Sequence, residues 1–395
     1  MYPILSLDGG GSWAVLQVMA LQEIFGPHAP GHEVLANFRL VAANSGGSIT
    51  LGGLIENRTL SDLRDNFFLK LEQRQKVFVP AGFFENPEAA LLRPLGIGAK
   101  YRTDAKLEGL RGLFTKFGDT PLSQLRKATG RDKFPDLVIA AFDYDRTRGY
   151  LFRSNQASLA RSQGDLIDPT LAEAVHASSN APVLYFDAPA RLKGRQFWDG
   201  GVSGYNNPVL VGVIEALSNE PESRIIALSI GTGTVFLPLD ADHRQPPELV
   251  QRPKQAAPIA DLQELATAIV DDPPDVASFH AHVALRGALP APGAPPAGSA
   301  IVRLNALIQP VRDQGGSWQV PKGLTPRDFG ELVKLPMDAI EQHRVELIVK
   351  LGQAWIDDSV MNQPVRTNRE TLGCEIGYRL FSDGVSAWQK LAREP

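Results

Sequence analysis

The sequence predicts an α/β fold: three layers, α/β/α, around a mostly parallel central sheet. Three observations carry this. Short apolar runs of strand length alternate with longer apolar segments that lack two-residue alternation. Several of the short runs end in glycine turns. The order is strand, helix, strand, which implies parallel βαβ units.

Taken in order, "YPILSL" (2–7) is a short apolar strand ending at Asp8, followed by Gly9, Gly10 and Gly11. Val15, Leu16, Val18, Met19, Leu21, Ile24 and Phe25 then form a mostly apolar segment. Its polar members Gln17, Gln22 and Glu23 are too few for a surface helix, so it reads as a largely buried one. "FRLVAAN" (38–44) is the next strand and "ITLGGLIE" the next helix. "DLVIAAFDYD" (136–145), "GYLFRS" (149–154) and "SRIIALSIGTGT" (223–234) are further strands, the last ending in a glycine turn.

From 236 to 300 the character changes. Eleven of the 30 prolines lie there, and "LPAPGAPPAG" (289–298) is a loop by composition. The helix-like "ADLQELATAIVDD" interrupts it, and "AIVRLNALI" (300–308) resumes as a strand. Between Pro326 and Ser359, Val333, Met337, Ile340, Leu347, Leu351 and Trp355 recur at near-helical spacing, with Pro336 as a break or helix start. The expected organisation is a main domain over 1–310 with a Pro-rich insertion at about 236–300. A mainly helical extension, 311–395, packs on the same domain.

The chain has 395 residues, 43% hydrophobic, with net charge -4 and pI near 6.0. Nothing in that balance marks a nucleic-acid binder. Cys374 is the only cysteine, which excludes an internal disulfide and a cysteine-rich metal site and fits a reducing compartment. No positive segment followed by an apolar run opens the chain, and no apolar run reaches about 18 residues. The expectation is a cytoplasmic protein that meets a membrane at most peripherally.

Three motifs carry chemistry. A glycine loop between strand and helix presents backbone N–H groups at the positive end of a helix dipole. Gly9, Gly10 and Gly11 can therefore cradle phosphate, bind a pyrophosphate, hold an oxyanion, or simply make a tight turn. "VAANSGGSIT" sets Ser45 between strand and helix with Ala43, Gly46 and Gly47 around it. That is the small-residue surrounding a strained nucleophile elbow requires; the plain alternative is an N-cap serine. Ser48, one turn on, is a weaker nucleophile candidate. In "RQFWDGGVSGYNNP" (195–208), Asp199 ends a strand beside two glycines, near the carboxyl edge where open α/β sheets bind ligands; the plain alternative is an Asx turn.

In this order the pieces resemble the patatin-like phospholipase family: "DGGG" (8–11), "NSGG" (44–47), "DGG" (199–201) with "NNP" (206–208), and "SIGTG" (229–233). "HASSNAPVLYF" (176–186) is similar to the family's segment before its last catalytic strand. "AFDYDRTRGYLFRS" and "YRTDAKLEGLRGLFTKFG" are fainter echoes. The resemblance spans about 4–235 and extends weakly to about 310. It implies a lipid acyl hydrolase with a Ser45–Asp199 dyad, no catalytic histidine, no metal or nucleotide cofactor, and an oxyanion hole from the N–H groups of Gly9, Gly10 and Gly11. Two places depart from the family pattern. Trp13 and Ala14 stand where arginine and glycine are usual, and Ala43 replaces the first glycine of the elbow.

Three rival readings remain. A sugar-kinase or actin-like phosphotransferase also pairs an Asp-Gly-Gly-Gly loop with a Gly-Thr-Gly loop, but continues into a β-hairpin. A Ser–His–Asp hydrolase would draw on His243, His280, His282 or His343, with His176 packing near the site. A non-enzyme would have a disabled site. The substrate is expected to be a lipid or acyl ester. Apolar residues at 83–97, including Phe83 and Phe84, would form a cap over the serine or a loop on the core. Lys70, Arg74, Lys76, Arg93, Lys100 and Arg102 flank them, and would either attract an anionic surface or stand as ordinary solvated charges.

Overall fold

A computed structural model describes residues 1–81, 99–155, 167–182, 185–240, 245–253, 273–291, 294, 298–366 and 375–394. The 83–97 segment, "ADLQELATAIVDD", His243 and Cys374 lie outside them. The sheet consists of β1 (Tyr2–Leu7), β2 (Leu40–Ala43), β3 (Asp136–Asp143), β4 (Arg148–Arg153), β5 (Ala190–Leu192), β6 (Arg195–Asp199), β7 (Ile225–Ile230) and β8 (Ile301–Leu304). Their order is β5-β6-β3-β2-β1-β7-β8, with β4 also on β3. β3, β2, β1, β7 and β8 run parallel; β4, β5 and β6 are antiparallel additions.

Successive residues of β1 face opposite ways. Leu5 and Leu7 enter a core with the helix α1 (Val15–Phe25), whereas Tyr2 and Ile4 enter another with Val209, Val213, Ala277 and Ala281. Two cores on two faces of one sheet make the α/β/α sandwich. α1 is buried from Val15 to Gln22, as its sparse polar residues imply. Trp355, Phe381 and Trp388 from the last 85 or so residues lie in the first core; Trp355 meets Phe381 edge to face, and Trp388 stacks on Phe38.

One expected helix is two. Pro326–Leu332 starts with a capping box at Thr325 and a proline in its first turn, and a second helix runs Gln342–Ile356. Pro336, which lacks an N–H and disfavours helix at Leu335, breaks the pattern. Val333, Met337 and Ile340 therefore lie in a strap between the two helices, not on a helix face.

The register brings two chain ends together. β3 pairs with β4 along its whole second half, so β2 and β6 share its other side. β2 reaches Ile139 through Ala43, and β6 reaches Ala141 through Asp199. The two strands thus approach head-on, and their carboxyl ends meet across Ala140.

Candidate active site

Ser45 follows β2 by one residue and opens α2 (Ser45–Ile55). Asn44 is extended, but Ser45 itself has φ 47°, a left-handed conformation that costs a non-glycine residue about 1–3 kcal/mol. The turn lifts the side chain toward the glycine loop. A Cβ on Gly46 would sit 2.7 Å from the Gly11 carbonyl oxygen, and one on Gly47 would sit 2.3 Å from the Leu7 carbonyl oxygen, so only glycine fits. The Ala43 methyl is buried without displacing β2 from Leu7 or Ile139. Ser48 donates to the Ser45 carbonyl at 2.6 Å from within the helix.

Asp199 ends β6 and is 5% exposed; Ser45 is 6% exposed. The Ser45 side chain lies close enough to the Asp199 carboxylate to favour its charged form. Asn44 Nδ2 donates to Asp199 Oδ1 at 3.1 Å and the Gly201 N–H at 2.8 Å. Burial pushes the Asp199 carboxyl above the usual carboxylate range, against these hydrogen bonds and the Lys106 charge. The strand runs opposite to its parallel neighbours, yet its end reaches the carboxyl edge because it enters the sheet from that edge.

The glycine loop is held from behind. The Gly9 N–H donates to the Asn206 carbonyl at 2.9 Å, and the Thr232 hydroxyl donates to the Gly9 carbonyl at 2.6 Å. The N–H groups of Gly10 and Gly11 have no partner among the described residues. The "SIGTG" turn therefore braces the first loop. Asp8, just before it, pairs with buried Arg303 at 2.5 Å, and the Ser12 N–H donates to the Met337 carbonyl at 2.9 Å. Trp13 Nε1 donates to the Pro336 carbonyl at 3.3 Å, so the residue that departs from the family pattern anchors the strap. A cavity of about 20 Å³ opens beside Ser45, walled by Ile49, Phe78, Phe186 and Met337 among others.

The segment 178–180 meets Ser45, Lys106 and Asp199 in turn. Ser178 Oγ accepts from the Ser45 N–H at 3.0 Å, Ser179 Oγ from Lys106 Nζ at 3.3 Å, and the Asn180 carbonyl from the Asp199 N–H at 3.0 Å. Sequence reasoning quoted "HASSN" but assigned none of these, nor Asn44. It quoted the stretch that holds Lys106 only as a faint echo and gave the lysine no role. The available signal was a lysine on the stripe Thr103, Lys106, Leu110, Leu113 that the helix Thr103–Leu113 buries.

Among the described residues no histidine hydrogen-bonds Ser45 or Asp199. His176 is buried; His282 is held by Ser299 and Ala288; His343 is 65% exposed. Where a phosphotransferase would carry a hairpin, α1 is helical. Of the basic residues expected to flank 83–97, three have partners, and Arg93 lies outside the described residues. Arg74 is buried on the Phe68 and Ile340 carbonyls, Lys100 pairs with Asp338, and Arg102 with Asp104. Among the described residues no cluster of His, Cys, Asp and Glu is arranged for a metal ion, and no helix is long and apolar enough to cross a membrane.

The family model described as patatin-like phospholipase matches residues 5–213. The chain belongs to the patatin-like phospholipase family. Its match takes in the glycine loop, the Ser45 elbow and Asp199, and stops before the "SIGTG" turn and Arg303, which brace them. Among solved structures, the chain is similar to human GIVD cytosolic phospholipase A2 in complex with methyl gamma-linolenyl fluorophosphonate, at 13% identity and TM-score 0.43, covering 99% of this chain and 59% of that one. It is similar to VipD from Legionella pneumophila at 11% identity and TM-score 0.34, covering 89% and 66%. It is similar also to full-length ExoU, in complex with SpcU, from the type III secretion system of Pseudomonas aeruginosa, at 13% identity and TM-score 0.24, covering 73% and 53%. The chain thus spans less than two thirds of the length of these proteins. A search of curated proteins returns no match.

Proposed function

We propose that the protein is a serine acyl hydrolase that cleaves carboxylic ester bonds of lipids through a Ser45–Asp199 dyad and an acyl-enzyme intermediate. The observation that carries this reading is the Ser45 side chain beside the buried Asp199 carboxylate at a left-handed elbow, next to a glycine loop whose Gly10 and Gly11 N–H groups have no partner among the described residues. Asp199 accepts the serine proton as Ser45 attacks the ester carbonyl. The oxyanion that forms takes hydrogen bonds from Gly10 and Gly11. Gly9 leaves the donor set, because its N–H is spent on Asn206; a Cβ there would lie 2.2 Å from Asn206 Oδ1 and 2.9 Å from Ser45 Cβ, so its part is close approach. The leaving alcohol takes the proton from Asp199, and a water, deprotonated by the same carboxylate, releases the acid. No metal or nucleotide enters.

The substrate class is a phospholipid, lysophospholipid or related ester met at a lipid surface, in line with the family. The test is labelling with a fluorophosphonate and location of the adduct by mass. Wild type should carry it on Ser45, Ser45→Ala should carry none, and an adduct on Ser48 would overturn the assignment. Co-sedimentation with vesicles at low and high salt, comparing wild type with Phe83 and Phe84 changed to serine, tests the surface. Equal partitioning would remove that part of the proposal.

A further inference from the structure

Lys106 is 0% exposed, on the inner stripe of α3 (Thr103–Leu113). A lysine is almost never fully buried without a partner, because its ammonium loses its hydration. The partners here are few. Nζ donates to Ser179 Oγ at 3.3 Å and lies 4.0 Å from the centre of the Phe186 ring, a cation–π distance. Ser179 spends its own proton on the Val175 carbonyl at 2.7 Å, so it offers Lys106 a lone pair. Ser179 and Phe186 both wall the cavity against Ser45. The ammonium therefore stands directly behind the wall of the site, one residue from the Asn180 carbonyl that holds the Asp199 N–H.

Among the described residues, the surrounding elements leave it one counter-charge. On the helix Leu71–Val77, Arg74 is turned onto the Phe68 and Ile340 carbonyls. On the helix Leu171–Ser178, His176 is held neutral by burial and by the charges of Lys106 and Arg111. Asp187 is spent on the Thr103 N–H at 2.9 Å. Asp199, on β6, is the acid whose charge acts on Lys106, and Lys106 acts on it in return.

We propose that Lys106 is a positioning residue of the Ser45–Asp199 pair, a buried counter-charge that keeps the Asp199 carboxylate ionised and ready to accept the serine proton. The inference rests on the dyad reading above. Its physical content is a balance. Burial favours the neutral form of both groups, and each charge favours the other. Removing the ammonium leaves burial unopposed on that side, so Asp199 takes up a proton at higher pH. A protonated carboxyl cannot accept the serine proton, and the acid side of the activity profile moves up.

The experiment measures the rate of fluorophosphonate labelling against pH for wild type, Lys106→Met and Lys106→Arg, alongside Ser45→Ala. The expected result is an acid midpoint about one unit higher in Lys106→Met, so that labelling below the wild-type midpoint falls about tenfold relative to the plateau. Lys106→Arg, which keeps the charge, should hold the wild-type midpoint. A purely structural lysine would lower the plateau and leave the midpoint in place; that outcome in folded Lys106→Met overturns the inference while the dyad stands. A wild type that labels elsewhere, or not at all, overturns the dyad and the inference with it. Asp199→Asn tests the same coupling without touching the lysine. Burial holds the Lys106 ammonium below its usual range, so stability rises with pH from the folded value of Lys106 toward the unfolded one. Loss of the Asp199 charge lowers that folded value further, and the rise should begin at lower pH than in wild type. Melting curves with the same pH dependence would also sink the proposal.

Discussion

The backbone N–H of Ser45 donates to the Ser178 hydroxyl at 3.0 Å. Ser178 in turn reaches Asn44 Oδ1 at 3.4 Å, and Asn44 Nδ2 reaches Asp199 at 3.1 Å. One path of hydrogen bonds thus runs from the main chain of the nucleophile to the carboxylate of its base. The N–H at the start of a helix has no intrahelical partner, and here it is buried in a left-handed residue. Ser178→Ala leaves it unsatisfied, at about 1–3 kcal/mol. If part of that falls on the elbow geometry, kcat for a short ester drops about three- to tenfold with KM little changed. Steady-state kinetics decides it; a change confined to KM would place Ser178 outside the elbow.

The proposed base makes a pH prediction. Asp199 titrates above the ordinary carboxylate range because it is buried. It must be ionised to accept a proton, so kcat/KM is lost as pH falls through that raised value, at higher pH than an exposed aspartate at about 4 would give. Asp199→Asn should lose turnover nearly as fully as Ser45→Ala, since members of one catalytic unit are not additive. An acid midpoint below 4 would show that another group controls the profile.

Histidine substitutions separate the dyad from a triad. His280, His282 and His343 are bonded or exposed away from Ser45, and His176→Ala opens a hole beside α3 without removing a partner of Ser45. Alanine at 176, 243, 280, 282 or 343 should leave most turnover of a short ester. A loss at any of them equal to that of Ser45→Ala would make that histidine the base.

Much of this was legible in the chain, and for a physical reason. Glycine at 46 and 47 is demanded by backbone approaches below 3 Å, so the elbow leaves its mark in local sequence. α1 is legible because a helix buried from Val15 to Gln22 cannot alternate. The contributions of Ser178, Lys106 and Arg303 were not. Each acts on the site from more than 50 residues away in the chain, and serine, lysine and arginine carry no signature of the partner they meet. Met337 misled for a different reason. Its spacing from neighbouring apolar residues is helical, but Pro336 turns the segment into a strap. Charge in a sequence also says nothing of whether a carbonyl or a carboxylate already holds it, as one does at Arg74 and at Lys100.

The strap makes a prediction about access. A cavity of about 20 Å³ holds roughly one water molecule, far less than an acyl chain, so part of its wall moves when substrate enters. Met337 is on that wall. Asp338 beside it accepts from the Tyr101 hydroxyl at 2.6 Å and from Lys100 at 3.0 Å, and the Ile340 carbonyl accepts from Arg74 at 2.9 Å. Asp338→Ala removes two of these ties. A long-chain fluorophosphonate should then label Ser45 several-fold faster, with a small one little affected. Equal acceleration of both, or of neither, would show that entry lies on another side.

The pair of Asp8 and Arg303 sets the last prediction. Arg303 donates to Asp8 at 2.5 Å and to Ser229 at 2.9 Å, and all three are buried. Burial still pushes the Asp8 carboxyl up to about 6, against the pull of the guanidinium. Its folded value therefore lies above the unfolded one of about 3.9. Between the two the folded state binds more protons, so this residue makes stability fall as pH rises from about 4 to about 6, and contributes a constant above that. Asp8→Asn removes the titration and mimics the protonated carboxyl, the form that burial favours beside Arg303. Melting curves from pH 4 to 8 should show the variant level with wild type near pH 4 and gaining on it as pH rises from about 4 to 6, because wild type loses its protonation advantage there. Asp8 immediately precedes the glycine loop, so labelling of Ser45 should slow in the same variant. A stability gap that stays constant across that window would mean that Asp8 is already ionised in the fold and that the ion pair, not burial, governs it.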